Sequence, residues 1–187
     1  VTGTSNLGAN VKTTGDQTYT GAVTLSGGDR TLQGSTINFG NTLTGTGSHD
    51  LIITGALDLD GAATNIVDLS VSTTSNLGAN VTTTGIQTYT GAVTLSGAAR
   101  TLTTAGSAVT FSNTVNGAQD LTVDTDGTDN GSSLATVQFG NTIGNSTAVG
   151  AVLITGNLDL NAAVTSATSL EVTGTSDLGA NVTTSST

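Results

Sequence analysis

Three stretches decide how the 187-residue chain is read: VTGTSNLGAN at residues 1–10, VSTTSNLGAN at 71–80 and VTGTSDLGAN at 172–181. The first two copies stay in step well past these ten residues: NVKTTGDQTYTGAVTLSGGDRTL at 10–32 matches NVTTTGIQTYTGAVTLSGAARTL at 80–102. Self-similarity at a period of tens of residues marks an array of supersecondary units that cannot bury their apolar faces singly and do so by stacking. The chain therefore reads as one continuous solenoid segment, 1–187, with units at 1–70 and 71–171 and a truncated third unit at 172–187. A second motif, F-[GS]-N-T-[LVI], at Phe39–Leu43, Phe111–Val115 and Phe139–Ile143, explains why the second unit is longer. That unit carries one extra coil near 111–138.

Within each unit, short segments alternate apolar and polar residues: GAVTL (21–25), STINF (35–39), DLIIT (50–54), ALDLD (56–60) and VDLSV (67–71). Alternation puts Val23 and Leu25, or Leu57 and Leu59, on one face of a strand. Thr, 41 of the residues, and Val suit a pleated surface, and the 26 glycines with Asn, Asp and Ser supply turns. No stretch has the apolar spacing of a helix. The expected fold is all-β, a right-handed parallel β-helix (β-solenoid) of stacked-strand coils with little or no helix; antiparallel sandwich repeats are the alternative. Three or four coils per 70-residue unit give roughly 17 to 23 residues each. Eight to ten coils at strand spacing make a rod about 40 Å long. Phe39, Phe111 and Phe139 are expected to stack in the core, Tyr19 and Tyr89 to occupy another repeated packing position, and Asn41, Asn113 and Asn141 to form an internal amide ladder.

Charge removes several function classes. Thirteen acidic and three basic side chains give a net charge of −10, and only 9% of residues are charged. Lys12, Arg30 and Arg100 cannot line a phosphate-tracking groove, so no nucleic-acid partner is expected. An anionic membrane repels such a chain, and no apolar run reaches the length of a bilayer span, so no membrane insertion is expected. Without Cys there are no disulfides or thiolate metal sites.

The units TTTGIQTYTGAVTL, VTFSNTVNGAQDLTV and LITGNLDL resemble the repeat regions of giant bacterial adhesins of the filamentous-haemagglutinin-like type. The resemblance extends over nearly the whole chain. It implies a bacterial extracellular or cell-surface location and a β-helical stalk or coat element that mediates attachment. Neighbouring repeats or like subunits would stack end to end, and host or cell-surface glycans would be the targets. The family's Asn-Pro-containing export signature has no counterpart here, since the chain has no Pro.

Candidate chemistry is sparse, and no enzyme is expected. The one His, His49, lies in the turn-like TGTGSHDL, the one Glu is Glu171, and Arg30 and Arg100 occupy equivalent repeat positions. Asp58 and Asp60 are expected to face solvent. The best ligand candidate is Asp124, Asp126 and Asp129 in DTDGTDNG, three carboxylates that would offer hard oxygen ligands to Ca²⁺, although the spacing is not that of an EF-hand. Four N-x-[ST] sequons occur, at Asn80, Asn130, Asn145 and Asn181. Two alternatives to a fibre segment are a glycan-binding or ice-binding β-solenoid and a β-helical carbohydrate-active enzyme. The T-x-T of QTYT, at Thr18/Thr20 and Thr88/Thr90, recurs once per unit instead of once per coil, which speaks against a continuous threonine ladder.

Overall fold

The computed structural model describes residues 1–127 and 134–185. Those residues form strands and turns with no helix, and every strand pairing is parallel. The chain is a β-solenoid of about nine turns. Each turn contributes a strand, or at Ile143 a single bridged residue, to each of three faces, so the cross-section is a three-sided prism. On the first face the inward residues run in register from Ser5 through Val23, Leu43 and Ala63 to Ile154 and Val172. On the second they run from Val11 through Leu32 and Ile53 to Leu160 and Leu178. On the third they run from Gln17 through Ile37 and Leu57 to Val164 and Val182. A strand spacing of ~4.8 Å makes nine turns about 40 Å tall.

The alternation seen in the sequence sets what is inside. Val23-Thr24-Leu25 and Val93-Thr94-Leu95 each read buried, exposed, buried. The same residue steps inward on turn after turn, so apolar side chains pile into continuous columns and the interior closes without a second layer. Successive members of the first column lie 18 to 21 residues apart, and 31 residues separate Val123 from Ile154. Phe111 and Phe139, 28 residues apart, are direct neighbours in adjacent turns.

The repeat unit is not a whole number of turns. From Ser5 to Ser75 the chain passes eleven strand positions, and a turn has three. The SNL motif therefore sits on the first face at Ser5–Leu7 and on the third face at Ser75–Leu77. The related SDL sits on the second face at Ser176–Leu178. The longer second unit adds one complete turn, fourteen positions in all, so it advances the motif by the same fraction of a turn. One short motif thus occupies each of the three faces in turn.

This phase corrects the expected aromatic packing. Equivalent repeat residues do not lie over one another: Tyr19 is on the third face and Tyr89 on the second. Phe39 stacks on Tyr19, with ring centroids 5.5 Å apart. Tyr89, Phe111 and Phe139 make a separate stack with spacings of 5.4 and 4.9 Å. Tyr and Phe thus share ladders, and Phe39 is not in the ladder of the other two phenylalanines. The amide ladder is also absent. Asn41, Asn113 and Asn141 each turn their Oδ1 back to accept the N–H of the next residue, Thr42, Thr114 or Thr142, at 2.7, 2.8 and 2.7 Å. A local asparagine turn wins over stacking because these residues lie at corners, partly or fully exposed, where the backbone N–H needs a partner.

Some strands cross a corner without a loop, and glycine makes the bend. In ITGALDL, Gly55 has φ +152°, and a Cβ there would collide with the Gly34 carbonyl of the turn below. In ITGNLDL, Gly156 has φ +156°, and its Cβ would collide with the Thr125 hydroxyl.

Candidate functional site

Side chains with chemical potential fall into three groups: inside the prism, at its corners and on its faces. The inside group comes from Q-T-Y. Gln and Tyr, two residues apart on one strand, both point inward. The Tyr89 hydroxyl donates to Gln87 Oε1 at 3.0 Å. The Gln87 amide donates to the Thr83 hydroxyl at 3.2 Å and to the Thr103 carbonyl at 3.0 Å. Tyr19 and Gln17 repeat the arrangement at 3.1 Å, with Gln17 donating to the Gln33 carbonyl at 2.7 Å. Burial pushes both phenols above the usual value of 10.0, that of the wholly buried Tyr89 strongly. These are satisfied interior polar units, where an unpaired amide would be costly.

At the corners, acidic and amide side chains tie one turn to the next. Asp29 Oδ1 accepts the Asp50 N–H at 3.1 Å, Asp50 accepts that of Asp68 at 3.1 Å, and Asp68 accepts that of Ile86 at 2.7 Å. Asn10 and Asn80, equivalent in the repeat, accept the N–H groups of Thr31 and Thr101, both at 3.0 Å. Where a strand ends, its backbone N–H loses its ladder partner, and these carboxylates and amides replace it. Both arginines also serve corners. Arg30 is 7% exposed and donates to the carbonyls of Leu7 at 2.9 Å, Asp29 at 2.6 Å and Ser26. Arg100 is 8% exposed and donates to Ala98 at 2.8 Å and Gly78 at 2.6 Å.

The calcium candidate is partly committed to the same kind of work. Asp124 Oδ1 accepts the N–H groups of Asp126 and Gly127, both at 3.1 Å, which fixes the turn leaving the first face. Asp129 lies outside the described residues. Among the described residues no three of His, Cys, Asp and Glu come together as a metal-binding group. His49 is half-buried at a corner, where its carbonyl accepts the Val67 N–H at 2.9 Å. Glu171 is exposed near the C-terminal end, in register with Leu153.

On the faces, two arrangements escaped the sequence reading. Asp58 is not simply solvated. Its two oxygens accept the side-chain amides of Asn38 at 2.7 Å and Asn76 at 2.8 Å, from the turns below and above. Thr36, Ala56, Thr74, Ser75 and Thr94 are among the residues that line a shallow depression of about 310 Å³ around it. Gln138 and Asp159 make a similar bond at 2.8 Å on the second face. The other arrangement is a threonine column. Asn6, Thr24, Thr44 and Thr64 are in register on the outer side of the first face; a bulge follows at Asn65, and beyond it Thr82, Thr103 and Asp124 form a second run in register. No spacing of QTYT reveals this column, because its members come from different motifs brought into line by the turn length. Searches of family models, curated proteins and solved structures return no match to this chain.

Proposed function

We propose that the chain is a structural rod segment, a stalk or coat element of a secreted or cell-surface bacterial fibre. The observation that carries this reading is the use to which the polar side chains are put. Asp29, Asp50, Asp68, Asn10 and Asn80 bond from turn to turn, and Arg30 and Arg100 fill corners. Groups that would otherwise make a site are spent on axial cohesion, which is what a rod under tension requires. The resemblance to adhesin repeats supports the surface location and the attachment role. The test is display on a bacterial surface with a terminal epitope tag. Extra copies of residues 1–70 should move the tag outward in equal steps and leave attachment strength unchanged. Attachment that rises with each added copy would mean that the repeats themselves bind the target.

One observation favours a second reading, a module for a flat uncharged ligand such as a glycan surface or ice. From Asn6 to Thr64 the outer column of the first face holds only Asn and Thr in register, and past a bulge Thr82 and Thr103 carry it on. Thermal hysteresis, or glycan retention lost on Thr24→Lys and Thr44→Lys, would select this reading over the rod alone.

A further inference from the structure

The depression on the third face holds one charged side chain, Asp58, which is half-buried. Among the described residues no cation meets it: Arg30 and Arg100 are spent on corner carbonyls, and Lys12 lies on the second face. Asn38 donates to Asp58 Oδ2 from the turn below and Asn76 to Oδ1 from the turn above, at 2.7 and 2.8 Å. One amide on each side sets the two carboxylate oxygens along the rod axis and leaves their outward edge open. Each oxygen accepts more than one hydrogen bond, so both keep capacity toward a ligand. Thr36, Thr74 and Thr94 line the depression, and among the described residues none of their hydroxyls is hydrogen-bonded.

At about 310 Å³ the depression is at the lower limit of clefts that hold small molecules, about 300–1,000 Å³, so it has room for one side chain. Two oxygens offered side by side match the parallel N–H groups of a guanidinium, whereas an ammonium is a point charge. Two residues further on, Asp60 is exposed. The strands on either side, in register at Phe39 and Leu77, continue into Gly40 and Gly78, which present no side chain beside it. Alternation turns Asp58 and Asp60 to the same side, about 6.6 Å apart along the chain. An extended peptide has the same two-residue repeat. We propose that the third face at Asp58 and Asp60 binds an extended basic segment of a partner protein, with an arginine seated on Asp58 and a second cationic side chain, two residues on, over Asp60. The chain's net charge of −10 draws such a segment in. This site does not depend on the rod reading.

The test titrates the isotopically labelled chain at low salt with a pentapeptide carrying arginine at its second and fourth positions, and follows the side-chain amide signals of Asn38 and Asn76 by nuclear magnetic resonance. Both signals should move to saturation. Citrulline in place of both arginines, which keeps their shape and removes the charge, should leave the signals still, and lysine in place of both should bind more weakly. Asp58→Asn should weaken binding about tenfold. Asp60→Asn should weaken it about threefold with the fold untouched, since the Asp60 side chain makes no hydrogen bond among the described residues. Asp177→Asn, which removes the same charge from the second face, should leave binding unchanged. Binding undiminished by citrulline would overturn the proposal. So would a loss in Asp177→Asn equal to that in Asp60→Asn, a peptide that binds without moving the two amide signals, or amide signals that answer to a neutral disaccharide instead of the peptide.

Discussion

An aspartate at a corner of this prism is an adhesive between turns, because its oxygen completes a backbone donor that the strand ladder leaves over. Asp68→Ala should therefore lower stability by about 1 kcal/mol, since the Ile86 N–H loses its acceptor in a place water can partly reach, and Asp68→Asn should recover most of that. Urea denaturation of the three proteins measures it. The buried phenols give a pH signature. A phenol whose folded pKa is raised holds its proton more tightly than the unfolded chain does. Stability is then unaffected below pH 10 and falls as pH rises above it, by about 1.4 kcal/mol per pH unit while Tyr89 stays protonated in the fold. Unfolding midpoints between pH 8 and 12 should show this fall, and Tyr89→Phe should flatten it. The variant itself should cost about 1–2 kcal/mol at neutral pH, since Gln87 Oε1 loses its donor. That Tyr and Phe lie inside was legible from strand alternation. Which ring meets which was not, because it depends on the residue count per turn, and that count varies from turn to turn.

At the scale of the strand and its corner, short β-branched segments with Gly and Asn between them predicted strands, and their tandem repetition favoured parallel stacked coils over antiparallel sandwich repeats. The corners were less legible. The sequence puts Asn41 in an internal amide ladder, and only its exposed corner position makes it a turn former instead. Two variants separate column from corner. Phe111 is the middle ring of the three-ring stack, and Phe111→Ala should cost about 3–5 kcal/mol, the usual range for emptying a buried aromatic site. Gly55→Ala should also destabilise, as its backbone is in a region that disfavours side chains and the Gly34 carbonyl blocks the methyl group. Thermal melts of both should fall below the parent, with Gly15→Ala, where a Cβ meets nothing, as the unaffected control.

At the scale of the whole molecule, the sequence period and the structural period differ, and the difference distributes each motif around the rod. Eleven strand positions per unit on a three-position turn carry SNL from the first face to the third, and the longer unit, by adding a whole turn, carries SDL on to the second. The unit boundaries can be read from the sequence. The phase cannot, because nothing in the local pattern distinguishes one face from another. The sequence pointed to Asp58 only as a solvent-facing residue and did not single out the corner acids Asp29, Asp50 and Asp68, because their bonds join residues about twenty apart. The rod, with turns added along a single axis, is tested most directly by small-angle X-ray scattering of this chain beside one carrying a second copy of residues 1–70 at its start. Added length with an unchanged cross-section is the predicted result, with the maximum dimension growing by about 18 Å for three and two-thirds turns. A longer chain that thickens while its maximum dimension stays the same would contradict it.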